Sequence, residues 1–525
     1  MDEVTGQQYS EIIKENLTNV VHSTFIPEFG FPFNGKVRDI YDRGNDLLMV
    51  TSDRISAFDI VHSRRIPFKG AVLNGLSLFG FKLSEDIIAN ALISAPDPYV
   101  QIQERLDNLG FEFVVRGYIW GSIAEAYESN VREIYGIKLP EGLLRYQKLD
   151  EPLFTPTTKA PRPYHDEPVT LEQMVNGFQA KYGWVDGLAD KYGHDKATEI
   201  VQYVKDVSIR LYRRAHEHAL SRGLIFVDTK YEFGIDKDGK IKLIDEANTP
   251  DSSRLVDLTE HREKWSIIAS FMQEFSSKFS NVSKLLQEQP FLKITELSKE
   301  YVRDRLRELG YKKGDTILPM LSDDDVTETS LRYIETYERF TGQKFDFVRS
   351  ELATGARLMN NLVKAGIAKG YCAIIGAGSD SDKEHIGKIV KSLEEYGIPY
   401  QVRIKSAHKQ KDVIPIVEFY NESLEPLVWI AVASRTDALS GTVSYHSVHP
   451  VISCSPDGIN MSCLNNPPGS PNATIVDPKN IGKYVAQTFS WIDPKLKKKI
   501  IELNEQKNKS LEEADKKAIA GELLN

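Results

Sequence analysis

Apolar and polar positions alternate most clearly between residues 224 and 255, LIFVDTKYEFGIDKDGKIKLIDEANTPDSSRL. Leu224, Ile225, Phe226 and Val227 form an apolar run that leads into an alternating half-strand. DKDG supplies a turn and KIKLIDEA alternates again, so the pattern predicts a hairpin whose first strand is partly buried. Spacing of two puts Asp228, Lys230 and Glu232 on one face of that strand. The second strand ends in Asp245 and Glu246, and a loop from Thr249 to Arg254 follows.

The rest of the chain divides around this hairpin. Residues 1–28 predict a helix and a connector, 33–51 a strand, turn and strand, 73–83 an amphipathic helix, and 111–116 a strand. Residues 150–168 are rich in proline and polar side chains and predict a loop. A helix over 197–222 delivers the chain to the hairpin. Helices follow at 256–279, 299–309 and about 327–340, the last with Thr327 as N-cap. Val348, Leu352, Met359, Leu362 and Val363 recur at helical spacing, which predicts a connector helix over 346–368. At Gly370 the texture changes to strand–loop–helix units, with strands at 371–377, 401–405, 427–433 and 450–454, the pattern of a parallel α/β sheet. The lysine- and glutamate-rich tail from Lys495 is helical, either as a solvated face or as a subunit-contact arm. The expected domains are 1–345 and 370–525, joined by 346–369.

Composition narrows the class. A chain of 525 residues is too long for one core. Its formal net charge of -9 argues against a general nucleic-acid or membrane-surface partner. Cys372, Cys454 and Cys463 make no CxxC pair, and so few cysteines fit a reducing, cytoplasmic compartment. MDEVTGQQYSEIIKENL lacks the apolar centre of a signal peptide, and no apolar run has the length of a membrane span.

The charges then carry the chemistry. Five carboxylates, a lysine and an arginine at the ends of one hairpin exceed what a structural hairpin needs. A solvated edge strand is the bland alternative, but the apolar run leading into the charges favours a site. Carboxylates held together near low-dielectric walls repel one another unless a cation lies between them, and magnesium with nucleotide phosphates is the usual one. Gly35 and Lys36, in FNGKVRDIY, make a turn that can lie over phosphates, without Walker-loop spacing. Arg116 at a strand end, with Gly117 and Ser122 beyond it, suits an anionic ligand; a salt-bridged scaffold role is equally open. Thr155, Thr157, Thr158, Lys159, His165 and Asp166 are candidate contacts in the polar loop. In the C-terminal domain Ser379 and Asp382 follow the first strand at a helix start, where such folds bind anions. Ser406, His408 and Lys409 follow the second strand, and His408 can take and give a proton near neutral pH. Ser434-Arg435-Thr436-Asp437 follow the third.

Two resemblances cover most of the chain. Residues from about 27 to 345 resemble the phosphoribosylaminoimidazole-succinocarboxamide (SAICAR) synthetase family through GKVRDIY, SDRISAFD, IPFKG, VVRGYIWGS, FTPTTKA with HDE, VDTKYEFG, IDEANTPDSSR and SLRYIETYERFTG, in the family's order. Residues 370–492 resemble the aminoimidazole ribonucleotide (AIR) carboxylase family through GSDSD, GIPYQVRIKSAHK and AVASRTDALSG with HPVISC, in the form of the class that uses carbon dioxide directly. The resemblance implies an α/β and α+β multidomain protein: an ATP-grasp-like two-lobed synthetase domain, then a flavodoxin-like three-layer parallel α/β carboxylase domain. It implies a bifunctional enzyme of purine biosynthesis. AIR and carbon dioxide would give the carboxylated nucleotide CAIR; CAIR, aspartate and ATP would give SAICAR, ADP and phosphate. The alternative is an active synthetase fused to an impaired carboxylase-like assembly domain.

By the same resemblance, Gly35 and Lys36 belong to the phosphate loop, and Glu232 and Asp245 to magnesium and ATP. Arg116, Ser122, Asp228, Lys230, Asp251, Ser253 and Arg254 belong to the imidazole nucleotide and the reaction centre, with Asp228 and Lys230 catalytic. In the carboxylase, His408 would be the proton carrier, Ser379, Asp382, Ser406 and Lys409 would hold the ribose phosphate, and Arg435 and Thr436 would line the carbon dioxide pocket. The carboxylase step would need no cofactor, and the carboxylase family implies a homo-oligomer. Ser434 and Asp437 stand where the family pattern is glycine and asparagine. Serine there would be strained if the position needed positive φ, and aspartate would add a negative charge near the pocket.

Overall fold

The computed structural model describes residues 3–161, 164–274, 281–297, 299–312, 314–347, 350–408, 413–435, 437–458, 460–520 and 522. They form two compact units, one of residues 1–23 with 34–351, the other of Thr24–Phe33 with 352–525. The connector helix, Thr354–Lys364, therefore belongs to the second unit, as does a ten-residue stretch near the N-terminus that the hydrophobic pattern did not single out.

The first unit has two main sheets among the described residues. A five-stranded sheet runs in the order Phe33–Asn34, Arg38–Asp42, Asp46–Thr51, Val100–Glu104, Leu92–Asp97. A seven-stranded sheet is built on Leu224–Ile235, the predicted hairpin strand, which is buried along nearly its whole length. Twelve residues let this strand serve several neighbours. Its C-terminal half pairs antiparallel with Ile241–Ile244, its N-terminal half with Ser253–Asp257, and its middle with Phe111–Tyr118. The helix His194–Ser221 buries an apolar stripe including Val201, Val204 and Leu211, and Tyr212 donates to the Phe226 carbonyl at 2.7 Å.

Several local expectations shift. The strand predicted over 111–116 continues to Tyr118. The strands Lys148–Phe154 and Thr157–Thr158 run into the region 150–168, for which the sequence predicts loop throughout. Ser253 and Arg254 lie on a strand rather than a loop, so the following helix starts at Leu258; it runs to Glu274, and 275–279 lie outside the described residues. Thr327 is not an N-cap. The helix is Asp323–Thr341, Ser322 caps it through a reciprocal box with Asp325, and Thr327 bonds back to the Asp323 carbonyl.

The second unit carries a parallel sheet of five strands among the described residues. Numbered within the unit, Cys372–Ala377 is first, Tyr400–Ile404 second, Leu427–Val432 third, Val451–Ser453 fourth and Ala473–Thr474 fifth; the spatial order is 2-1-3-4-5. That is the doubly wound, flavodoxin-like order. Alternate residues of the first strand enter opposite cores. Ala373, Ile375 and Ala377 pack with Ile389, Leu393, Val485 and Phe489, whereas Cys372 and Ile374 pack with Val417, Tyr420, Leu439 and Val443. This makes three layers. Thr24–Phe33 lies along the second of these cores: Phe25 packs against Phe419 and Tyr420, its carbonyl accepts from Leu424 N–H at 3.0 Å, and Gln401 Nε2 donates to the Pro27 carbonyl.

Candidate functional site

Strand register assembles the first site. Asp228 lies opposite Arg116 on one side and Arg254 on the other, and Thr229 lies opposite Ser253. Arg116 Nη1 and Arg254 Nη1 both donate to Asp228 Oδ2, the first at 2.9 Å, so one buried carboxylate holds two guanidinium groups side by side. Arg116 also reaches Thr155 at 3.1 Å and Ser122 at 3.3 Å. Gly121 has φ 59°, and a Cβ there would lie 2.8 Å from Arg254 Nη2, so glycine lets the RGYIWGS turn close on that arginine.

One and two strand positions further on come the cations and carboxylates expected to meet the nucleotide. Lys230 Nζ donates to Glu112 at 2.6 Å and stands 3.9 Å from Glu232. Burial opposes its charge, but Glu112 and Glu232 outweigh that and hold it protonated well above the usual lysine range. Glu232, opposite Ile244, accepts from Lys159 at 2.6 Å. Asp245, the residue after Ile244, has φ 63° and accepts from Arg38 Nη1 at 2.7 Å. Burial works against its ionisation, yet Arg38, Lys159 and Lys230 pull it below the usual carboxylate range. Glu232 and Asp245 thus stand at neighbouring register positions with matched cations. Among the described residues no trio of His, Cys, Asp or Glu is arranged to hold a metal. Two carboxylates are what magnesium needs when phosphates and water complete its shell, so this pair fits.

Gly35 and Lys36 occupy the turn between Phe33–Asn34 and Arg38–Asp42. A Cβ on Gly35 would lie 3.0 Å from the Arg38 carbonyl, and Arg54 donates to the carbonyls of Gly35 and Lys36. Lys36 pairs with Asp59, which also meets His165 at 3.0 Å, so the Gly35–Lys36 turn, the end of the SDRISAFD segment and the FTPTTKA–HDE segment converge. Asp251 is buried: Lys69 donates to Oδ2 at 2.9 Å and Tyr333 to Oδ1 at 2.7 Å. Burial would raise its pKa, but Lys69 and Lys299 hold it well below the usual range.

Arg38, Lys69, Lys159, Lys299 and Tyr333 are the residues that sequence reasoning did not place here with a role. Arg38, Lys69 and Tyr333 lie within the motifs GKVRD, IPFKG and SLRYIETYERFTG, and Lys159 is a candidate polar contact. Nothing in local periodicity marks Lys299 as a site residue.

In the second unit, the loops after the first and third strands meet where the strand order reverses: Ser434 Oγ is 3.4 Å from Asp382 Oδ1. Anionic ligands bind at such switch points. Ser379 accepts from Ser381 N–H at 3.2 Å at the head of Asp380–Asp382. His408 stands exposed on the turn beyond the second strand, with Ser406 half-buried beside it. Lys409 and Thr436 lie outside the described residues. Positive φ falls on Arg435 (64°), not on Ser434, so the serine carries no such strain. Asp437 is buried and caps the helix Ala438–His446: Oδ1 accepts from Ser440 N–H at 3.0 Å and Oδ2 from Ser453 at 2.6 Å. Its charge is spent on the helix start.

Comparison with known proteins places both units. Residues 32–269 match the SAICAR synthetase family profile and residues 372–510 the AIR carboxylase profile. The phosphoribosylaminoimidazole-succinocarboxamide synthase of Bacteroides fragilis is 37% identical over 350 residues, 65% of this chain and 98% of that one. The chloroplastic synthase of that name from Arabidopsis thaliana is 36% identical over 375 residues, 69% and 81%. The solved SAICAR synthase of Saccharomyces cerevisiae in complex with SAICAR is 28% identical, with 62% and 99% covered and a TM-score of 0.48. The protein is therefore an enzyme of purine biosynthesis that joins a ligase unit to a carboxylase domain. The chain belongs to the SAICAR synthetase family.

Proposed function

We propose that the protein carries out two consecutive reactions: carboxylation of AIR to CAIR with carbon dioxide in the second unit, and ATP-dependent ligation of aspartate to CAIR in the first. The observation that carries the ligase reading is Asp228 clasped by Arg116 and Arg254, with Lys230 one and Glu232 two same-face steps further along the strand. An anionic imidazole nucleotide fits the two guanidinium groups, with Ser122 and Ser253 beside them. A carboxylate is a poor acylating agent until it is phosphorylated; the acyl phosphate is then open to the amine of aspartate. The protein's part is positioning and charge neutralisation. Magnesium held by Glu232 and Asp245 would neutralise phosphate charge. Lys36 and the Gly35 turn lie against the phosphates, while Lys230, locked in its cationic form, faces the transferring group.

In the carboxylase the nucleophilic ring carbon adds carbon dioxide and His408 removes the ring proton. Ser379, Asp382, Ser406 and Lys409 hold the ribose phosphate, and Arg435 and Thr436 border the gas. No cofactor enters this step. The capped, satisfied state of Asp437 supports an active carboxylase over an impaired one. The carboxylase unit assembles the protein into a homo-oligomer, and three free, buried cysteines suit a reducing cytoplasm. Assays of the full-length protein separate the two activities. Glu232→Gln should abolish magnesium-dependent ADP release and spare CAIR formation, and His408→Asn should do the reverse. A carboxylation rate untouched in His408→Asn removes that residue from proton transfer.

A further inference from the structure

The ligation reaction needs a proton acceptor, because aspartate arrives as an ammonium ion and only the free amine attacks. We propose that Lys299 is that acceptor and that the cluster Lys69–Asp251–Lys299–Arg303 is where aspartate docks; the proposal rests on the ligase reading above. Lys299 stands half-buried at the head of the helix Glu300–Glu308, its Nζ 3.5 Å from the backbone carbonyl of Asp251. The Asp251 carboxylate is already committed to Lys69 and Tyr333. Among the described residues no carboxylate forms an ion pair with Lys299, whereas Lys69 is fully buried against its partner.

The groups facing Lys299 come from every surrounding element: Asp251 before the strand Ser253–Asp257, Lys69 at the start of the helix Lys69–Leu83, Lys230 on the central strand, Arg303 one turn along its own helix, and Asp59 at the end of the SDRISAFD segment. Burial, together with Arg303, Lys69 and Lys230, disfavours its charge and outweighs the attraction of Asp251 and Asp59, lowering its pKa from 10.5 to about 8. At pH 7.5 about a quarter of Lys299 would be neutral, against roughly one in a thousand for an ordinary lysine. The crowd of cations also suits a dicarboxylate amino acid.

The step balances without any further reagent. The ammonium of aspartate gives a proton to neutral Lys299 Nζ. The nitrogen lone pair forms the C–N bond at the acyl phosphate carbonyl, the C–O bond to phosphate breaks, and phosphate leaves with that electron pair. The second nitrogen proton departs to phosphate or water.

The test uses full-length protein, Lys299→Arg and Lys299→Met, with CAIR, ATP and either aspartate or hydroxylamine. Hydroxylamine is largely neutral at pH 7.5 and needs no base. Both variants should lose about 100-fold in the aspartate rate, the usual scale of a proton acceptor, and lose the native limb near pH 8. Both should retain hydroxamate formation within about threefold, which also shows that they are folded. Lys299→Arg keeping the aspartate rate would reduce Lys299 to a fixed charge and overturn the proposal. Hydroxamate falling in step with SAICAR would place its effect on phosphorylation and also overturn it. Absence of hydroxamate in the native enzyme would instead sink the ligase reading.

Discussion

Glu425 offers a test of how Thr24–Phe33 is held in the second unit. Its side chain is 1% exposed. Oε1 accepts from Glu28 N–H at 2.7 Å, and Oε2 is buried without a partner. Burial pushes its pKa from 4.5 up to about 8; the Glu28 N–H bond opposes this, and the Glu28 carboxylate adds to it. A raised carboxyl contributes stability that is fully present below the unfolded value and drains away as pH climbs through the folded one. The window is therefore pH 4.5 to about 8. At 1.36 kcal/mol per pH unit the ceiling on the loss is about 5 kcal/mol, and relaxation of the segment would leave about 2 to 5.

Glu425→Gln keeps an acceptor for Glu28 N–H and cannot ionise. The variant should match the native protein near pH 5 and exceed it by at least about 2 kcal/mol at pH 8. Hydrogen exchange of peptides covering 24–33, corrected for intrinsic rate, reads this locally, which suits a chain of two units where global unfolding is not two-state. Asp53, buried and raised to about 7, drains stability from the first unit over part of the same range, so the quantity to compare is native minus variant. Parallel pH profiles in the two proteins would show that Glu425 is not a buried acid and refute the argument.

Other changes have definite outcomes. Asp228→Asn strands two guanidinium groups and should cost about 3–5 kcal/mol in urea unfolding of the substrate-free enzyme, with the deficit shrinking when the anionic nucleotide is added. Gly121→Ala meets both a positive φ and Arg254; steady-state kinetics should show KM for CAIR rising about tenfold, with carboxylase activity unchanged. Asp437→Ala removes both the cap and the acceptor of the buried Ser453 hydroxyl and should cost the second unit about 2–4 kcal/mol by thermal unfolding, while Asp437→Asn, which still caps Ser440 N–H but no longer accepts from Ser453, should recover the cap's share of about 1 kcal/mol.

What the sequence revealed and what it hid follow from the range of the forces involved. The central strand was legible because alternation is a local signal, and a strand bearing Asp228, Lys230 and Glu232 on one face must present them together. The second unit was legible because strand, loop and helix recur, although the short fifth strand, Ala473–Thr474, carries too few residues to show a period. Thr327 was mistaken for a cap because helix starts compete on short polar residues; the Ser322–Asp325 pair, at capping-box spacing, was the better signal. Partners brought by distant elements left no such trace. Lys69 lies 182 residues from Asp251 and Tyr333 lies 82, so neither contact is written in any window of sequence. The Thr24–Phe33 segment has no period, yet Phe25, Phe29, Phe31 and Phe33 crowd into nine positions. That density of aromatic area in a connector needs a surface to cover it. Phe25 finds it against Phe419 and Tyr420 and Phe31 stacks on Phe25 and Phe419, whereas Phe33 stays exposed.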